Sequence, residues 1–236
     1  MSRAGRIRSV TVAAGRAFLR RRTAVFFTFF FPAIIILIFG AVVQTAGGSG
    51  GLFTEPPGYY VPGYLAVVVL FTPLSRVGSE VARHREDNRF EKLATTPLRR
   101  WEWLAAQTLV NVGIIGVAAA GVLGVALFCG LGAILGSLSD SSDGVIAASN
   151  GIALPLLFLS ETFVPASLLP GWLPLWLSPL TYFSRGVRAV TYQPSETLAT
   201  SQVPGGLGLV ESDLLVLAVL TLAFFVVGAV TLPRTD

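Results

Sequence analysis

From residue 24 onward, long uncharged apolar runs alternate with short polar stretches, and the run lengths predict the elements. A helix crossing a hydrocarbon core of about 30 Å needs about 20 residues at a rise of about 1.5 Å each. Residues 24–43 form an apolar run of 20. This run is read as a first span, bent at Pro32. It is not read as a cleaved leader, because it is long enough to cross and lacks a small-residue cleavage motif followed by a soluble domain. A loop rich in Gly and Pro follows, carrying Glu55 and no cation. The second run starts near Tyr60 and extends to about Ser75 or somewhat beyond, entered through Tyr59, Tyr60 and Tyr64, aromatics suited to headgroup level.

Residues 103–136 hold 34 uncharged positions. One helix of that length would measure about 50 Å, too long for the bilayer core. Either two short helices thin the membrane locally, or one span is followed by a re-entrant or interfacial segment. The glycines from Gly113 to Gly136 permit close helix packing, and Gly121 with Gly124 is a candidate turn. A polar stretch, residues 137–144, precedes another apolar run at 145–160, closed by Glu161. Residues 162–183 are uncharged but interrupted by Pro165, Pro170, Pro174 and Pro179, which exclude one straight helix. With Trp172 and Trp176 they suit short segments dipping into the interface. A polar loop through Glu211 and Asp213 leads to a last span at 214–232. The pattern predicts an all-α integral membrane protein, a polytopic helical bundle forming one domain over residues 1–236.

Composition agrees with that reading. The chain is 53% hydrophobic and 13% charged, with a mean hydropathy of +0.71, whereas soluble domains carry about a quarter charged residues. Of 17 Lys and Arg, seven lie within residues 1–22 and seven within 76–102. The positive-inside rule places both segments, and so the N-terminus, in the cytoplasm. The net charge of +4 then reflects topology and contact with anionic headgroups, and a nucleic-acid surface is not needed to account for it. The 76–102 loop also holds five acids beside its seven cations. Within it, Phe90 and Leu93 share one face of a short predicted helix and Arg89 and Lys92 a neighbouring one, the pattern of a docking surface.

Several chemistries lack their residues. A P-loop needs a lysine directly after a glycine, and the only lysine, Lys92, follows Glu91. The single histidine, His84, cannot supply a two-histidine zinc motif, and it is read as a solvated loop residue. Cys129, the lone cysteine, is expected as a buried thiol among Leu127, Phe128 and Leu131, with no disulfide or cysteine metal cluster. Paired intramembrane carboxylates for proton relay are not evident, since only Glu161 borders an apolar run. No catalytic or metal-binding residue is expected in this chain.

Residues 85–98, REDNRFEKLATTPL, resemble the cytoplasmic signature of type-2 ABC transporter permeases, the family of drug and polysaccharide exporter membrane subunits that includes daunorubicin-resistance permeases. Its pattern is approximately R-E-x-G-x-x-E-x-L-x-x-T-P-L. Arg85, Glu86, Glu91, Leu93, Thr96, Pro97 and Leu98 fit, while Asn88 stands where glycine is common. Residues 154–188 are similar to a second stretch of the family, with Glu161 in place of the usual glycine. The resemblance implies a permease that dimerises, as a homodimer or with a different second permease. Each copy would bind a separate ATPase subunit through an amphipathic N-terminal helix and the loop after the second span. ATP and magnesium would then belong to the partner. By the same resemblance residues 83–98 form a coupling helix, with Arg85, Thr96 and Pro97 in its signature. Glu86, Asp87, Arg89, Glu91 and Lys92 would meet the ATPase by charge, and Phe90 and Leu93 by packing. Residues 165–185 would be outward-side re-entrant segments near the exit, a region including Glu161, Pro165, Pro170, Trp172, Pro179, Tyr182 and Arg185.

The resemblance also implies two full spans where residues 103–136 are about 30 residues short. Six membrane segments with the third and fourth compressed are expected; five would invert everything after residue 137. The expected function is an exporter permease in the cell membrane that moves a hydrophobic or amphipathic drug, lipid or glycan. The alternatives are a membrane scaffold or degenerate permease that docks an ATPase without transporting, and an intramembrane enzyme.

Overall fold

A computed structural model describes residues 2–22, 57–115, 119–164, 169–192 and 209–233, with seven isolated positions between 25 and 41. Most of the predicted first span, and Pro165, lie outside the described residues. Among those described there are helices and turns and no strand. Helix α1 (Arg3–Arg20) starts at Ser2, whose hydroxyl accepts the Gly5 amide at 3.2 Å, the usual way of satisfying a first-turn donor. A 3-10 turn, Pro57–Tyr60, leads into α2 (Val61–Glu86), followed by α3 (Arg89–Ala94), α4 (Arg100–Ile115), α5 (Ala119–Leu138) and α6 (Ser142–Phe158). A second 3-10 turn, Leu175–Leu177, precedes α7 (Pro179–Thr191), and α8 (Leu209–Thr231) comes last.

Helix α2 continues well past Ser75, the expected end of the second span. The reason lies in its periodicity: Leu74, Val77, Gly78, Val81 and Ala82 are buried, an i, i+3, i+4, i+7, i+8 stripe that keeps one face on the bundle. The charges from Arg76 to Arg85 occupy the remaining faces, so only residues from Asp87 onward form the polar connection. The 103–136 stretch folds as two helices. The first ends at Ile115 and the second begins at Ala119, so Gly121 and Gly124 lie inside α5. The shortening is carried by α4, 16 residues long, while α5 has 20. At the last span, Glu211 and Asp213 belong to α8 rather than to a loop, because early acids complement the positive end of a helix.

Helix directions follow from neighbours. On α2 and α5, Val69 neighbours Gly124 and Leu74 neighbours Gly132, so the two run parallel. Helix α6 is antiparallel to α2, with Val145 against Gly78, and Leu123 with Thr221 and Gly130 with Phe224 set α8 parallel to α5. Trp103 lies by His84 and Asn111 by Arg76, so α4 is antiparallel to α2. Helix α5 is central, packed on α2 and α8. The packing is backbone to backbone, since a Cβ on Gly132 would fall 2.6 Å from the Leu74 carbonyl oxygen and one on Gly130 would fall 2.5 Å from that of Phe224. Helix α1 lies along α4. The ends of α2, α5 and α8 and the starts of α1, α4 and α6 therefore share one end of the bundle, called here the α1 end. Among the described residues, three helical stretches are long and apolar enough to cross a membrane, Gly58–Glu86, Ala120–Leu138 and Val210–Thr231, and α6 is a shorter apolar helix.

Candidate functional site

Two polar clusters stand at opposite ends of the bundle. At the α1 end, α2 stops at Asp87, and the chain reverses through Asn88, the one non-glycine among the described residues with positive φ (51°). Asparagine tolerates this left-handed conformation, which glycine adopts most easily. That explains why a residue other than glycine still serves at this position.

The two residues before the turn fix it in place. The Arg85 guanidinium donates to the carbonyls of Ser137 (2.8 Å) and Ser139 (2.7 Å), placing a cation on the negative C-terminal end of α5. The Glu86 carboxylate accepts the Ser142 amide at 2.8 Å, placing an anion on the positive N-terminal end of α6. Adjacent residues of opposite charge thus hold opposite helix ends. Both are turned to the chain's own α5–α6 corner.

The rest of the signature divides by exposure. Asp87, Arg89, Glu91, Lys92, Thr96 and Pro97 are exposed, and Asp87 pairs with Arg89 at 2.8 Å, a surface pair of small energetic weight. The Thr96 hydroxyl donates to the Leu93 carbonyl at 2.6 Å. Phe90 and Leu93 are half-buried and pack inward on the core. Phe90 lies 5.3 Å from His84 and 5.8 Å from Trp103 between ring centroids. His84 is therefore not a solvated loop residue. It sits on α2 with its side chain 13% exposed, within hydrogen-bond distance of the Glu80 carbonyl through Nδ1 (2.8 Å).

Beside this corner, Arg6 of α1 grips Glu102 at the start of α4, with Nε to Oε2 at 3.1 Å and Nη2 to Oε1 at 2.6 Å. The Arg99 amide adds a third donor at 2.9 Å. Glu102 is inaccessible to solvent, and its carboxyl, which precedes the apolar run of α4, is held down at about 2, first by the Arg6 hydrogen bond and then by the Arg99 amide. Sequence reading had not singled out this clamp. Its signal was an acid immediately before an apolar run and an arginine in a helix with no acid of its own.

At the far end, Glu161 is 5% exposed and bridges two arginines of α7. Arg185 reaches both Glu161 and, at 3.7 Å, Asp213 of α8. Arg188 donates to the backbone carbonyls of Glu161, Thr162 (3.2 Å) and Tyr59 (3.3 Å), and its guanidinium lies 4.0 Å from the centroid of the Tyr59 ring. The two carboxylates and two guanidiniums balance, as burial requires. The proline-rich stretch beneath is positioned by its own bonds. Pro179 opens α7, where its missing amide costs nothing, and the Tyr182 hydroxyl donates to the Trp176 carbonyl at 2.8 Å. Pro170, Trp172 and Trp176 are exposed, the tryptophans 80% and 68%. Glu161, Tyr182 and Arg185 thus come together; Tyr59, Arg188 and Asp213 complete the cluster. Among the described residues no group of histidines, cysteines and carboxylates could hold a metal ion.

Apolar membrane-length helices, joined at one end by a clamped charged corner, define a polytopic helical membrane protein. The sequence matches the ABC-2 type transporter family over residues 6–130 and 117–192, and the chain belongs to that family as a permease subunit. Proteins of this family work with an ATP-binding subunit. No curated protein matches the chain.

Proposed function

We propose that this chain is the membrane-spanning permease of an ATP-binding cassette exporter of the cell membrane, with its α1 end in the cytoplasm. The charge distribution supports that orientation, since 14 of 17 cations fall in the two segments read as cytoplasmic. ATP and magnesium are bound by a separate ATPase subunit, and a second permease copy, identical or different, completes the transport path. The substrate is hydrophobic or amphipathic, in the range of drugs, lipids and glycans.

The observation that carries the reading is the lashing of the α3 corner by Arg85 and Glu86. Asp87, Arg89, Glu91 and Lys92 offer the ATPase an exposed charged surface, with Thr96 and Pro97 at its edge. Phe90 and Leu93 press this surface on the bundle instead of reaching the partner. When ATP draws the two ATPase copies together, load on α3 passes through Arg85 into α5 and through Glu86 into α6. Helix α5 is packed backbone to backbone on α2 and α8, so the displacement reaches the far end as a rigid shift of helices rather than a local bend. There the Glu161, Arg185, Arg188 and Asp213 cluster ties the starts of α2 and α8 to α7, and its rearrangement would open the exit bordered by Pro170, Trp172, Pro179 and Tyr182.

The test is a mild-detergent pull-down of the tagged full chain from native membranes. An ATPase subunit with a P-loop sequence is expected in about equal amount. Reversing the exposed charges, Glu91→Arg with Lys92→Glu, is expected to lower that yield about tenfold by placing like charges opposite each other, with no change in melting temperature. Undiminished yield in the variant would remove α3 from the docking surface. Intact wild-type chain recovered alone would point to a scaffold or degenerate permease.

A further inference from the structure

A groove of about 880 Å³ opens between the α3–α4 corner and the last three turns of α8. Its walls share Phe90 and Leu93 with the α3 corner and Arg99 with the Glu102 clamp, but nothing in the proposed transport cycle occupies its interior. The volume lies within the range of small-molecule sites, roughly 300–1,000 Å³. Leu222, Phe225, Val226 and Ala229 line one wall, an i, i+3, i+4, i+7 stripe along α8. At the end nearest the helix terminus, the lining changes to Arg99, Arg100 and Trp101. Arg100 donates to the Val230 carbonyl at 3.1 Å, which holds its guanidinium at that end. Arg99 is exposed, and Trp101 is 38% exposed.

Three features identify the occupant. The wall runs from Leu222 to the helix end at Thr231, nine helical steps or about 14 Å at 1.5 Å each, and on through Leu232 and Pro233, close to the depth of one leaflet of a core about 30 Å thick. The groove therefore runs from the bilayer interior to headgroup level, where the Trp101 indole is at home. The lining residues include two arginines and no carboxylate, because the neighbouring Glu102 is buried and engaged by Arg6 and the Arg99 amide. A second copy of this chain fits poorly, since a twofold contact here would bring four arginines together with no acid among the lining residues.

We propose that this groove holds a single anionic phospholipid, its phosphate on Arg99 and Arg100 and one acyl chain along Leu222, Phe225 and Val226. The lipid braces the start of α4 against the end of α8.

Native mass spectrometry of the full chain in detergent, titrated with dioleoyl phosphatidylglycerol or dioleoyl phosphatidylcholine, tests this. One phosphatidylglycerol adduct is expected at concentrations where phosphatidylcholine gives none. Arg99→Gln should weaken that adduct about fivefold, the share of one surface arginine, and Arg3→Gln on α1 should leave it intact. Ala229→Trp, which fills the groove, should abolish it at unchanged oligomeric state. Retention of the adduct in Arg99→Gln would overturn the proposal, as would its displacement by excess glycerol phosphate, which has a headgroup and no chain. A shift in the monomer–dimer ratio instead of lipid loss in Ala229→Trp would make the groove a subunit interface and equally end the proposal. Arg99 is exposed, so its variant is expected to fold even if the tryptophan variant does not.

Discussion

Asn88 shows how much a single backbone conformation can decide. Its φ of 51° and ψ of 31° turn the chain between α2 and α3, and a β-branched residue there would cost about 1–2 kcal/mol or more. Asn88→Gly is expected to leave the melting temperature in detergent unchanged or slightly raised, and Asn88→Val to lower it. A second residue-scale prediction concerns Glu102. Its carboxyl lies at about 2 in the fold against an ordinary value of 4.5, so the clamp on Arg6 contributes fully above pH 4.5 and weakens as pH falls toward 2. Amide hydrogen exchange in α1 should accelerate across that window, and Glu102→Gln should show fast exchange already at neutral pH. Sequence made the exposed members of the 85–97 stretch legible, because charge and the surface coincide there. It could not show that Arg85 and the exposed Glu86 hold the ends of α5 and α6, because their partners are backbone groups at helix ends, which no residue pattern marks. His84 was misread for a related reason: its neighbours Phe90 and Trp103 come from separate elements.

At the scale of elements, the apolar runs foretold the helices, and the errors lie at their ends. Charges were taken to end α2, yet a helix half-buried along one stripe keeps its direction while its other faces turn polar. That α4 ends at Ile115 and α5 begins at Ala119 was equally hidden. Glycines signal a turn or a close contact with equal force, and here Gly124, Gly130 and Gly132 serve contact. Substituting Gly132 by Leu would drive a side chain into the backbone of α2 and is expected to cost about 1–3 kcal/mol or more, read as a lower unfolding temperature in detergent. Gly113→Ala is the control, since no neighbour lies within 4 Å of its added carbon, and alanine in a helix is expected to raise the unfolding temperature slightly.

For the whole molecule, the balance of charge at the far end separates two outcomes. Glu161→Ala leaves Arg188, 9% exposed, without its carboxylate and should destabilise by about 3–5 kcal/mol. Arg185→Ala removes a side chain that is 44% exposed and leaves Glu161 its pairing with Arg188, so it should cost less than Glu161→Ala; chemical denaturation of the two variants compares them. The parallel course of α2, α5 and α8 also predicts that a reporter fused after Asp236 lies on the same side of the membrane as one fused before Met1, the arrangement of six segments rather than five. Sequence left that count open because charge is nearly absent from residues 103–136, so nothing there could favour one side of the membrane.

The corner at Arg85 and Glu86 has a consequence in time as well as in space. Its acceptors and donor lie 52 to 56 positions further along the chain. At about 5–20 residues per second, ribosomal synthesis reaches them roughly 3 to 11 s after Glu86 is made. Until then α3 hangs from a helix end with nothing behind it. The charged surface acquires a fixed orientation only once α5 and α6 have been made, so a partner that requires the lashed corner will pass over shorter nascent chains and select those grown past Phe158.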